Sequence, residues 1–239
     1  MRVMSAIFTK QLNDVLKNPT VTMIFILLPL MAFLMGNFME LEDGVSAFAG
    51  IATFAAMGVA TMPLTAMTSS ISEDIETRSL RFLVMAGVKP VQYLLGISSF
   101  ILLVSFLSML AFGLIGDLSG RDLLLFLGAS IAGLLPATAL GALLGILSKN
   151  VQQGMTFGSV FGLTLGMIPM FAMMNENIMN VTNFLFSQQA SNIFMYIAWG
   201  PPTYMDWSLT RAFVIIGVNF VIFATLFFII YKKKGMNLD

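Results

Sequence analysis

The sequence predicts an all-α membrane protein. It has six transmembrane helices, an N-terminal amphipathic interfacial helix, a short cytoplasmic helix between spans two and three, and short outer re-entrant helices between spans five and six. Three observations carry that prediction. The chain is 58% hydrophobic and only 10% charged, where soluble domains carry about 25% charged residues, and its mean hydropathy is +0.91. Apolar runs recur at the length a bilayer demands, about 20 residues for a hydrocarbon core of about 30 Å. All the basic residues but Arg121 and Arg211 fall on one side of the resulting layout, as the positive-inside rule requires.

Residues 1–17 form the interfacial helix. Met4, Phe8, Leu12 and Val15 share one helical face, while Arg2, Lys10, Asp14 and Lys17 share the opposite one. That is the pattern of a helix lying in the membrane plane. Asn18-Pro19 ends it, because the residue before a proline is pushed out of helical conformation. The spans follow at 20–39, within 44–68, within 91–116, within 123–147, within 151–174 and at about 209–231. Glu40, Glu42 and Asp43 close the first span in a short acidic loop. A tight polar turn runs from Asp117 to Asp122, and Ser148-Lys149-Asn150 make the next. Lys232-Lys233-Lys234 stop the last span. One apolar bundle makes a single domain, 1–239, within which 1–18 is interfacial, 69–89 cytoplasmic and 175–208 outer.

The stretch 69–96 is the long charged segment between two strongly apolar spans. Glu73, Asp74, Glu76, Arg78, Arg81 and Lys89 fall inside it, and Ile71, Ile75, Phe82, Met85 and Ala86 recur among them at helical spacing. It reads as a short helix outside the bilayer with one apolar edge, a surface for another protein to grip.

Residues 175–208 carry Asn180, Thr182, Asn183, Ser187, Gln188, Gln189, Ser191 and Asn192, then Gly200-Pro201-Pro202. So many amides in hydrocarbon would be costly. A seventh span there would also put the lysine triplet outside, whereas six spans leave only Arg121 and Arg211 on the outer side. The segment therefore reads as short helices dipping into the outer leaflet, with Trp199 and Trp207 in an aromatic belt. Both termini are cytoplasmic on this count.

Gly154, Gly158, Gly162 and Gly166 recur every four residues in the fifth span, and Gly141 and Gly145 do so in the fourth. Small residues at that spacing make a groove that another helix can approach closely. The groove serves either packing inside the monomer, the reading adopted, or a sliding or dimer-facing seam. Pro29, Pro63, Pro136 and Pro169 lie within spans, and each frees a carbonyl. The chain has no His and no Cys, which excludes thiolate chemistry. It contains no HExxH, no GxSxG and no GxxxxGK[ST], so it neither offers a catalytic constellation nor cradles nucleotide phosphates itself. No charged residue lies deep in a predicted span, which argues against an ion-driven carrier. Zero net charge gives no reason to expect a nucleic-acid partner.

The layout and the 69–96 stretch together resemble the membrane subunits of the ABC-2 transporter family. That family's first cytoplasmic loop reads like E-x-G-T-L-E-x-L-L before a short turn. Glu76, Ser79, Leu80, Arg81, and Leu83 with Val84 match its spacing, while Arg78 stands where glycine is common. Gly87-Val88-Lys89-Pro90 and Tyr93-Leu94-Leu95-Gly96 are similar to its re-entry into the third span. The resemblance covers almost the whole chain. It implies that the loop helix is a coupling helix seated in a separate ABC ATPase subunit, present in two copies, which binds the ATP and Mg. It implies contact through Glu73, Ile75, Glu76, Ser79, Leu80, Phe82 and Leu83. It further implies a second copy of this chain or a paralogous permease in the plasma membrane, with spans one, two and five lining the pathway. The expected function is ATP-driven export of an amphipathic or apolar cargo such as a peptide, drug or lipid. The alternative is a non-transporting immunity or sensor subunit that binds such a molecule.

Overall fold

The computed structural model describes residues 9–10, 19–38, 47–85, 87–200 and 207–235. Among them there is no strand. The helices in chain order are α1 Pro19–Phe38, α2 Ala47–Glu76, α3 Ser79–Met85, α4 Pro90–Ile115 and α5 Gly120–Leu147, then α6 Val151–Met174, α7 Glu176–Thr182, α8 Phe186–Trp199 and α9 Leu209–Gly235. Apart from Thr9 and Lys10, the expected interfacial helix at 1–18 lies outside the described residues, as does the acidic loop at Glu40, Glu42 and Asp43. Among the described residues five helices, α2, α4, α5, α6 and α9, are long and apolar enough to cross a membrane, and the apolar stretch of α1, Thr22–Gly36, is shorter.

Their ends follow from local chemistry. Asn150 caps α6 by accepting the Gln153 N–H at 2.8 Å. Pro90 opens α4 at a position where its missing N–H costs nothing, and the Gln92 side chain accepts the Lys89 N–H at 3.1 Å. Asp117 at φ 54° and Gly120 at φ 55° turn the chain tightly from α4 into α5. α5 therefore starts at Gly120, inside the segment expected to be a polar turn.

α2 is the axis of the bundle. α1, α4, α5, α6 and α8 all pack on it, and 78% of its most apolar window is buried, against 28% for α6 and 17% for α9. At 1.5 Å per residue its 30 residues span about 45 Å, longer than the about 30 Å hydrocarbon core. The sequence reading ended this span by 68 and began a separate helix. Instead the helix runs unbroken to Glu76. No glycine or proline interrupts it there, and two of its hydroxyls bond back along the helix. Thr68 donates to the Leu64 carbonyl and Ser72 to the Thr68 carbonyl, both at 2.6 Å. The expected apolar edge is thereby divided. Ile71 lies fully buried on α2, whereas Phe82 and Met85 lie on α3.

α7 and α8 form a hairpin that re-enters the bundle. A Cβ on Gly133, midway along α5, would lie 2.6 Å from Val59 of α2 and 3.4 Å from Ala190 of α8. Phe48, Phe126 and Phe194 cluster between α2, α5 and α8, with ring centroids 4.7–6.5 Å apart. The hairpin tip is level with Asn219, whose amide donates to the Phe184 carbonyl at 2.8 Å. Asn219 is ten residues into α9, about 15 Å from its start. Four of the amides that made this segment look costly pair with one another, while Asn180 is exposed. Gln188 Nε2 donates to Asn192 Oδ1 at 2.9 Å, and Gln189 Nε2 donates to Asn183 Oδ1 at 2.5 Å.

Candidate functional site

The segment that leaves the bundle is built by one strained residue. Arg78 has φ 57°, the left-handed region, in the place where a glycine was expected. Thr77 holds the approach, donating its hydroxyl to the Glu73 carbonyl and pairing with the Ser79 hydroxyl, both at 2.8 Å. Gly87 at φ 78° returns the chain towards α4. Between these turns sits α3, too short to be stable alone in water. It is anchored by Leu80, which is buried in the core. Phe82 and Met85, three apart and each 65% exposed, project from it. Two apolar anchors at that spacing suit a groove in a partner protein.

The seven residues expected to grip an ATPase divide between three situations. Phe82 is exposed and Ser79 half-buried on α3, while Leu80 is core. Glu73 and Ile75 are half-buried on the last turn of α2, with Ile75 packed against the core. Glu76 is exposed, and its Oε2 accepts the backbone N–H of Val151, the first residue of α6, at 2.6 Å. The side chain of Leu83 lies outside the described residues. Met85 was read only as part of the periodicity, yet it shares the face of Phe82.

Asp74 was missed altogether as a site. It is 2% exposed at the same end of α2. It accepts the Tyr93 hydroxyl of α4 at 2.9 Å and is ion-paired with Lys10. The carboxylate thus joins three segments. Its spacing from Met67 and Ile71 places it on the buried face of α2, a signal present in the sequence, although its partners are not.

Both glycine series pack on α2, from two sides. A Cβ on Gly154 would strike the Ser72 hydroxyl at 1.9 Å, on Gly158 the Thr65 Cα at 3.0 Å, on Gly162 the Thr61 Cα at 3.3 Å, and on Gly166 the Met57 Cα at 3.2 Å. On α5, a Cβ on Gly141 would meet the Leu64 carbonyl at 2.7 Å, and one on Gly145 would meet Ile71 Cβ at 2.8 Å. The close approach lets α2 hydroxyls reach carbonyls on its neighbours. Thr61 donates to Gly162 at 3.1 Å, Thr65 to Gly158 at 3.2 Å and Thr68 to Gly141 at 3.1 Å. The seam lies inside the chain. With α2 enclosed in this way, span two presents little surface for a pathway, in contrast to the expectation that it lines one. Exposed apolar side chains lie on the other long helices: Ile26 and Leu30 on α1, Leu107 on α4, Ile131 on α5, Val160 and Phe161 on α6, and Val221 and Ile229 on α9.

A family model described as ABC-2 family transporter protein matches residues 3–230. Comparison with the curated proteins gives no match. The family match spans nearly the whole chain, and the helical architecture with its five membrane-length helices agrees with it. The chain belongs to the ABC-2 family of transporter proteins, as a membrane-embedded permease component.

Proposed function

We propose that this chain is the permease subunit of an ATP-driven exporter and that α3 is its contact with a separate ATPase. The observation that carries the reading is the exposed Phe82–Met85 pair on a short helix in a chain of this family. In this reading α1 is also a span, the first of six, α3 and both termini are cytoplasmic, and the α7–α8 hairpin dips into the outer leaflet of the plasma membrane. Two ATPase copies bind the ATP and Mg. A second copy of the chain, or a paralogous permease, completes the pathway, with the outward faces of α1 and α6 towards it. α6 suits that role because its outward face mixes Gln152, Thr156 and Ser159 with Val160 and Phe161, all exposed. The cargo is an amphipathic or apolar molecule.

Affinity purification from native membranes tests this. An ABC ATPase should co-purify, and Phe82→Ala with Met85→Ala should release it while the permease stays folded. A complex that survives replacement of residues 79–85 by a Gly/Ser linker would refute the assignment of α3.

A further inference from the structure

The glycines of the seam repeat every four residues, and so do Thr61 and Thr65, which face them. A repeat that matches the helical turn does not define one register. Sliding α6 along α2 by four residues, about 6 Å, would pass the Thr65 hydroxyl bond to the Gly162 carbonyl and the Thr61 bond to the Gly166 carbonyl with unchanged chemistry. Something outside the repeat has to choose. Ser72 pairs with Ser148 at 2.6 Å, but Ser148 ends α5 and does not belong to α6. One bond at the α3 end does reach α6, from the Val151 N–H to Glu76. It is register-specific, because the first N–H groups of a helix lack acceptors within it and later ones do not. The negative carboxylate also complements the positive end of the α6 dipole. Only Thr77 and Arg78 separate Glu76 from α3.

We propose that Glu76 is the register pin of the α2–α6 seam, so that these two helices move as one body when α3 is driven and do not slide past each other. The proposal rests on the reading of α3 as the ATPase contact and concerns what lies behind that contact. Glu76 is a positioning residue: it sets where α6 stands on α2.

The chain has no cysteine, so engineered pairs report the register directly. Thr61→Cys with Gly162→Cys reads the register described here, since a Cβ at Gly162 lies 3.3 Å from the Thr61 Cα. Thr65→Cys with Gly166→Cys reads the shifted one: Gly166 now faces Thr61 and Met57, and the slide would carry it to the place of Gly162, where a Cβ lies 3.3 Å from the Thr65 hydroxyl oxygen. Both pairs are made in the full chain with its co-purified ATPase in lipid nanodiscs and oxidised with and without ATP. The first pair should form a disulfide without loss of ATP hydrolysis, and the second should form none. Glu76→Ala should make the second disulfide appear. Glu76→Gln, which keeps an acceptor for Val151, should suppress it again. A second measurement leaves the seam untouched: the distance between spin labels at Thr77→Cys and Gln152→Cys should be unmoved by ATP in the parent and altered by Glu76→Ala. A position 65–166 disulfide during turnover with Glu76 intact would overturn the proposal. So would Glu76→Ala leaving register and distance unchanged, or hydrolysis that stops on locking positions 61 and 162 and returns on reduction. Failure of the α3 assignment shows separately, as a purified chain without ATPase, because the cross-links are read from the chain itself.

Discussion

The Ser108 hydroxyl of α4 donates to the Phe25 carbonyl of α1 at 3.2 Å, and Phe25 stands four residues before Pro29. A proline has no N–H to give to that carbonyl, so the acceptor is an orphan of the helix. In a membrane no water replaces the missing donor. A residue on a neighbouring helix supplies it. Ser108→Ala should therefore cost about 0.6 kcal/mol, the mean for an interhelical hydrogen bond in a membrane. In a Pro29→Ala background the cost should shrink, because position 29 then supplies its own N–H. Thermal unfolding of the four variants in detergent gives the cycle. Equal costs in both backgrounds would refute the link.

Arg78 occupies the left-handed region, which costs an L-residue about 1–2 kcal/mol. Glycine relieves that strain but loses about 0.5–1 kcal/mol through greater freedom of the unfolded chain. Arg78→Gly should thus leave stability unchanged or slightly raised, and Arg78→Val should lower it clearly. The same unfolding assay checks the order. A strongly destabilised Arg78→Gly would mean that the guanidinium makes a contact worth more than the turn.

Asp74→Ala should cost about 1–3 kcal/mol, because it leaves the buried Tyr93 hydroxyl without its acceptor. Asp74→Asn keeps an acceptor and loses only the pairing with Lys10, whose side chain is 43% exposed and returns readily to water. It should be the milder change. Tyr93→Phe should cost little in the Asp74→Ala background, since the hydroxyl there is already unpaired. Additive losses would separate the two residues.

Glycines on the bundle should split by what their missing Cβ would meet. Gly128 on α5 and Gly217 on α9 face open space, so Gly128→Ala and Gly217→Ala should stabilise by up to about 1 kcal/mol through helix propensity. Gly141→Ala would press on the Leu64 backbone and should destabilise. Gly158→Leu should prevent folding of the monomer itself, which size-exclusion profiles in detergent would show as aggregation.

The end of the third span and the turn between the fourth and fifth were legible because Asp117, Lys149 and Asn150 are polar where the chain turns, whereas the end of the second, at Glu76, was not. The glycine stripe was legible as a packing surface. Its partner was not, because Thr61 and Thr65 read as ordinary dilution of an apolar run until the opposing carbonyls of Gly162 and Gly158 are placed. The charges at 73–76 misled because charge was equated with water. Asp74 is buried through Tyr93 and Lys10, 19 and 64 residues away in sequence. The amides of 183–192 were counted as a cost against burial. They pair with one another, and a further amide, Asn219, caps their tip from α9.

α2 is the least hydrophobic of the five long helices, at a mean hydropathy of 1.5 against 1.7–2.8 for the others. It is also made early. The carbonyls that take its hydroxyls on α5 and α6 leave the ribosome 73–101 residues later. During translation α2 enters the bilayer with a polar stripe that can only fold back on its own helix, as Thr68 and Ser72 still do in the finished protein. The bundle closes around it only when α6 has been inserted. A nascent chain stopped at Asn150 would hold α5, whose Gly141 takes Thr68, but would leave Thr61 and Thr65 without their acceptors on α6, a polar stripe for membrane quality control to read. In pulse-chase labelling it should disappear faster than the full-length chain, and equal lifetimes would show that the stripe goes unread.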